Sequence, residues 1–276
     1  MSIKTIATVL SDPENAAAVI DTAMALAVGH DAHLIGLHAE VVEPPPVMSP
    51  FDLPDSSVIA ALYEAAAERR KTIEAAFNAA ATGRGVEHTW RAMRGTGVMA
   101  SQGVIEACRS SDLVVAGQPG KGRVSDVDDI LFEGGRPVLF VPWIERAARP
   151  FERVLVAWDS SRESTRAIFD ALPLLTSASA IEVFSIDPPD ASTRADGLTG
   201  AEIADTLARH GLAVEINAQN SERISVSAVL ENRCSDFAAD LLVMGAYSHA
   251  RIRERLFGGV TQMLLESMTV PVLMSR

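Results

Sequence analysis

Two hydrophobic patterns alternate along this chain. Runs such as Val154-Leu155-Val156-Ala157-Trp158 are apolar at every position. That is the pattern of strands covered by helices on both faces, and it predicts a parallel sheet. Between such runs the apolar residues take helical spacing. In Asn15 to Val28 they are Val19, Ile20, Ala23, Met24 and Ala27, with Asp12 placed as N-cap and Pro13 in the first turn, where a missing N–H costs nothing. The same period predicts helices over Ser57–Thr82, Val98–Arg109, Ser160–Leu175, Gly200–His210, Ile224–Cys234 and Val260–Ser267. One stretch breaks the alternation. Val41 to Ser57 carries Pro44, Pro45, Pro46, Pro50 and Pro54, which exclude helix and central strand and predict an exposed loop.

The pattern also repeats. Ser111-Asp112-Leu113-Val114-Val115-Ala116-Gly117 aligns without gaps on Ala239-Asp240-Leu241-Leu242-Val243-Met244-Gly245. Each is followed by a short apolar strand opening on proline, Pro137 to Val141 and Pro271 to Met274. Each half starts with a strand running into a helix, Thr5 to Leu10 and Arg153 to Trp158. The chain therefore reads as a tandem duplication of two α/β domains, residues 1–147 and 148–276, joined near Trp143 to Glu152. Strand and helix alternate through each half, which predicts a doubly wound five-stranded parallel sheet with right-handed crossovers.

A length of 276 residues gives each half enough chain for its own core. With 48% apolar and 22% charged residues the composition is that of a folded protein. The formal net charge of −12 opposes general binding to nucleic acid or to an anionic membrane surface. Only Cys108 and Cys234 occur, too few for a disulfide framework, so a reducing cytoplasm is the expected compartment. The apolar run at the N-terminus is cut by Asp12 and Pro13, and Pro137 to Ile144 is far shorter than the ~20 residues a membrane span needs.

In open α/β sheets ligands bind beyond the carboxyl ends of the strands, where helix N-termini offer free N–H groups to anions. In the second half Asp159-Ser160-Ser161 follows strand one, and Gly245-Ala246-Tyr247-Ser248 follows strand four. After the nine residues His249 to Phe257 comes Gly258-Gly259-Val260-Thr261, opening a helix. Paired glycines admit a phosphate close to the backbone, and the Thr261 hydroxyl adds a donor; a plain loop and N-cap is the competing explanation.

With this spacing the sequence resembles the universal stress protein family, in particular its tandem members, over nearly the whole chain. The resemblance implies two Rossmann-like domains of the adenine nucleotide alpha hydrolase-like type and a bound ATP, alone or with Mg. Carried over by position, Asp159 contacts the adenosine part, with Ala157 just inside its strand. Gly245, Tyr247 and Ser248 lie beside the ribose and phosphates, and Gly258, Gly259, Val260 and Thr261 hold the phosphates. Two positions depart from the family motif. Ser248 stands for its second glycine and Gly259 for its Ser or Thr.

The first half departs further. Ser11 stands where strand one should end in Asp, and Asp129-Ile130 stands where the later glycine belongs, although Gly117 and Gly120 keep the first spacing. This half is expected to bind no nucleotide. Gly134-Gly135 reads as a helix C-cap. Gly117 to Gly122 is no Walker motif, because Val115 and Gly122 occupy the required glycine and Ser or Thr positions. His30, His33 and His38 lie close in sequence without a Cys partner, which favours surface or satisfied core histidines over a metal site. Arg251, Arg253 and Arg255 read as a solvated face, with one or two able to turn to a phosphate. The two cysteines read as buried thiols.

Three functional expectations follow: a non-enzymatic ATP-binding stress regulator, a nucleotide-free protein-interaction module with an unknown protein partner, and a slow ATPase. The resemblance also implies an internal pseudo-dimer of the halves. The closing strands Val138–Val141 and Val272–Met274 are the expected contact edges there, and a homo-dimer through domain edges is a further possibility.

Overall fold

The computed structural model describes residues 2–11, 13–42, 55–95, 97–119, 125–144, 148–188, 200–246 and 259–276. Of the predicted loop Val41–Ser57, residues 43–54 fall outside this set. The chain forms two compact units, one of Ile3–Gly117 and one of Met1–Ser2 with Gln118–Arg276.

The first unit runs β1 (Thr5–Val9), α1 (Pro13–His30), β2 (His33–Val41), α2 (Ser56–Arg84), β3 (His88–Gly95), α3 (Gly97–Cys108), β4 (Leu113–Gly117). Its strands lie in the order β3-β2-β1-β4, all parallel. The second unit runs α4 (Ser125–Glu133), β5 (Val138–Val141), β6 (Arg153–Ala157), α5 (Arg162–Leu175), β7 (Ala180–Ile186), α6 (Ala201–Arg209), β8 (Val214–Gln219), α7 (Val226–Asp236), β9 (Leu241–Gly245), α8 (Gly259–Ser267), β10 (Val272–Ser275). Its order is β5-β10-β9-β6-β7-β8. All pairs are parallel except β5 with β10, which run antiparallel with Phe140 opposite Val272.

Strand burial explains the continuous apolar runs. Ile6, Val114, Val154, Leu155, Val156 and Val243 are wholly buried, because helices cover both faces of the central strands. In α1 the predicted stripe Val19, Ile20, Ala23, Met24 and Ala27 is the buried face. Helix ends follow local chemistry. The Asp55 carboxylate accepts the Ser57 N–H at 2.9 Å to open α2, and Gly85 closes it in the left-handed region at φ 66°. Ser225 opens α7 by accepting the Ala228 N–H at 3.2 Å.

The charged residue of each repeat, Asp112 and Asp240, has the same task in both units. Asp112 Oδ2 accepts the N–H groups of Lys4 and Thr5 at 2.8 and 3.0 Å. Asp240 Oδ2 accepts those of Glu152 and Arg153 at 3.2 and 3.1 Å, and Oδ1 pairs with Arg149. Each carboxylate thus ties down the start of its repeat's first strand, β1 or β6, at the amino edge of the sheet.

Candidate functional site

In each unit the chain moves outward through three strands and then returns to the other side of the first. In the second unit the reversal falls between β6 and β9, which pair in parallel through Val154–Leu241, Leu155–Leu242 and Val156–Val243. Their carboxyl ends flank the crevice where this architecture takes ligands. The structure brings Ala157, Asp159, Gly245, Gly259, Val260 and Thr261 to this edge, while Tyr247, Ser248, Gly258, Arg251, Arg253 and Arg255 lie outside the described residues.

After Ala157, the Trp158 N–H donates to the Phe184 carbonyl at 2.9 Å. The Asp159 carboxylate is exposed and accepts the Ser161 N–H at 3.0 Å. Ser160 takes a left-handed φ of 62°, and Ser161 Oγ accepts the Ser164 N–H at 3.1 Å. Two successive side-chain caps therefore turn the chain from β6 into α5.

Gly245 ends β9 against the first turn of α5. A Cβ on it would lie 2.4 Å from the Ser164 nitrogen and 2.6 Å from the Glu163 carbonyl carbon. Backbone contact with a helix thus requires this glycine on packing grounds alone. Ala246 follows, fully buried, with its N–H donated to Ser275 O at 2.9 Å. The Ser275 hydroxyl, opposite Gly245 in β10, is buried with no hydrogen-bond partner among the described residues.

Helix α8 connects β9 to the parallel β10, so it begins at the carboxyl edge. Its first residue, Gly259, is exposed, and a Cβ there would meet none of the described residues within 4 Å. Thr261 is buried. An α-helix leaves its first N–H groups without intrahelical acceptors, and their partial positive charge suits an anion.

The first unit differs at the same places. Ser11 is exposed at the end of β1. The Leu10 N–H donates to Leu37 O at 2.9 Å, and the Leu10 carbonyl accepts a 2.6 Å hydrogen bond from buried His38 Nδ1. Burial holds the His38 imidazole below its ordinary value, with the Leu10 bond and Glu40 opposing the shift. Gly117 meets a side chain where Gly245 meets backbone: its Cβ would lie 2.1 Å from Asn15 Nδ2. Gly120 lies outside the described residues; Asp129 and Ile130 sit within α4.

Several other sequence candidates acquire structural roles. Gln118 is buried and spends its amide on backbone, donating to Leu265 O and accepting the Trp143 N–H, both at 2.8 Å. Gly135 takes φ 64° after α4, and Gly134 N–H donates to Ile130 O at 2.9 Å, as a C-cap requires. Burial pushes the thiols of Cys108 and Cys234 up to about 12. Among the described residues no three His, Cys, Asp or Glu side chains gather as metal ligands, and no helix is long and apolar enough to cross a membrane.

A cavity of about 390 Å³ lies on the same edge beyond β8, lined by Gln219 to Ile224. It is two strands removed from the crevice, and one turn makes its whole wall. That turn is fixed by Asp187, which accepts the Ser221 N–H at 2.8 Å and the Ser221 hydroxyl at 2.5 Å. The β6–β9 crevice has the better claim, because the ends of two paired strands and the start of α8 fall on the same edge there.

Sequence reasoning passed over one residue of this edge. Ser11 aligns with Asp159, so Asn15 aligns with Glu163, and each lies over the glycine that ends β4 or β9. The repeat alignment contained that signal.

Comparison with known proteins places this architecture. Residues 150–276 match the profile of the universal stress protein family. No curated protein sequence matches the chain. A universal stress protein from Archaeoglobus fulgidus DSM 4304 superposes with a TM-score of 0.72 at 16% identity, over 98% of this chain and 96% of that one. A putative universal stress protein from Pseudomonas aeruginosa UCBPP-PA14 gives 0.59 at 17% identity, over 99% and 93%. A functionally unknown protein from Pseudomonas aeruginosa PAO1 gives 0.58 at 16%, over 99% and 92%. These likenesses show the fold across the chain, and the profile match shows that residues 150–276 are similar in sequence to the universal stress protein family.

Proposed function

We propose that the second unit binds an adenine nucleotide, ATP by the family resemblance, in the crevice between Asp159 and the start of α8, and that occupancy serves as a signal without catalytic turnover. The observation that carries this reading is the opening of α8 at the carboxyl edge beside the reversal of strand order, where none of the described residues comes within 4 Å of a Cβ built on Gly259. Asp159 would face the adenosine part. The N–H groups of Gly259, Val260 and Thr261 would receive phosphate oxygens, the Thr261 hydroxyl adding a donor, and Mg would offset the phosphate charge. A bound ligand signals only through different affinity for two states of the protein.

The competing reading is a protein-interaction module without nucleotide. It is favoured by Asp159, whose carboxylate is already committed to the Ser161 N–H. Equilibrium titration with a fluorescent ATP analogue separates the two. Saturable binding is expected, weakened about tenfold in Asp159→Ala, as for loss of one charge-assisted hydrogen bond. No affinity in the parent protein rejects the nucleotide reading.

A further inference from the structure

We propose that Glu163 makes the second unit discriminate among adenine compounds by phosphate charge, so that affinity falls from adenosine to AMP to ATP unless a divalent cation accompanies the phosphates. This rests on the adenine-nucleotide reading above and adds to it a ligand preference and the residue that sets it.

Glu163 sits in the first turn of α5, directly over the end of β9. Its own Cβ would lie 2.9 Å from a Cβ built on Gly245, the residue from which the chain leaves the crevice. Its side chain is only 12% exposed, so its negative charge is held at this edge instead of ranging through solvent. Its ion-pair partner is the neighbouring Arg162, 3.1 Å away and 85% exposed. A surface pair of that kind neutralises little.

The other half of the molecule supplies the internal control. At the duplicated position the chain carries Asn15, a neutral amide one methylene shorter, over Gly117. The fold therefore accepts a neutral side chain at this place, and packing does not dictate the carboxylate. A fixed negative charge beside a helix N-terminus opposes an incoming polyphosphate while leaving an uncharged nucleoside unaffected. A unit charge at the same sheet edge, screened as at a protein surface, shifts such an equilibrium by about tenfold.

The test is calorimetric titration of adenosine, AMP and ATP, in EDTA and in excess Mg²⁺, against the parent protein and Glu163→Gln. In EDTA the variant should gain about tenfold for ATP and remain within about twofold for adenosine. The gain that Mg²⁺ confers on ATP should shrink accordingly. A carboxylate that serves only to favour the α5 N-terminus would lower the melting temperature and move all three ligands by one factor, and that result overturns the proposal. So does an unchanged ladder from adenosine to ATP. Glu163→Asn, which copies the first unit's residue, repeats the measurement should Glu163→Gln fail to fold. If no adenine compound binds parent or variant, the nucleotide reading itself falls; if they bind and the ladder is unmoved, only the role of Glu163 falls.

Discussion

The two glycines that end β4 and β9 occupy equivalent places, yet alanine should cost very different amounts at each. In Gly245→Ala the new methyl meets the Ser164 nitrogen at 2.4 Å and the Glu163 carbonyl carbon at 2.6 Å. These are main-chain atoms of a capped helix turn and cannot rotate away. To restore ordinary contact, the start of α5 must retreat by about 1 Å, loosening a helix that buries Ala167, Ile168, Ala171, Leu172, Leu174 and Leu175. Overpacking of this kind costs about 2–3 kcal/mol, and the reduced freedom of the unfolded chain returns about 0.4–1 kcal/mol. The net loss should be about 2 kcal/mol. In Gly117→Ala the three nearest atoms all belong to the Asn15 side chain. A change of rotamer clears them for about 0.5–1.5 kcal/mol, which the same entropic gain largely offsets. Because the chain has two units, a single unfolding free energy is poorly defined. Peptide-resolved hydrogen exchange across a urea series is the suitable assay. Peptides of α5 and β9 should lose protection in Gly245→Ala, while those of α1 and β4 should barely change in Gly117→Ala. Equal losses at the two sites, or a larger one at Gly117, would refute the argument that backbone proximity decides the cost.

Two further outcomes are expected. Asp240→Ala and Asp112→Ala each strip the acceptor from two backbone N–H groups and should destabilise their own unit by about 1–3 kcal/mol; thermal melts read the loss, and nucleotide affinity should hold because both residues lie at the amino edge. His38 is held below the ordinary histidine value of 6.5 by burial, so below that pH the unfolded chain takes up the proton more readily than the fold. Its contribution is therefore complete above about pH 6.5 and is lost as pH falls below it. His38→Gln should flatten the fall in melting temperature between pH 7 and 5, with His30, lowered in the same direction, leaving a residual slope; an unchanged profile contradicts the assignment.

Much of the architecture was legible because it depends on local pattern. The α1 stripe and the continuous apolar strands are read from periodicity alone, and α3 and α8 begin one residue before their predicted starts at Val98 and Val260. Spacing also singled out one sheet edge, since Asp159 and Gly245 follow neighbouring strands. What spacing lacks is the third dimension. Gly245 looks like a ligand-loop glycine in sequence, whereas the structure gives it a steric duty toward α5. Asp112 and Asp240 appear in the repeat as charges of no stated purpose, and their hydrogen bonds reach residues 108 and 87 positions away. Glu163 has no motif at all; its meaning comes from lying across from a glycine that is distant in sequence.

The antiparallel union of β5 and β10 joins Val138–Met274 and Phe140–Val272, partners 136 and 132 positions apart in the chain. A ribosome adding ~5–20 residues per second needs on the order of ten seconds to travel between them. Throughout that interval the nascent chain carries Val-Leu-Phe-Val with the side destined for β10 still open. Such an edge invites pairing with other chains, so synthesis imposes a hazard that the finished sheet conceals.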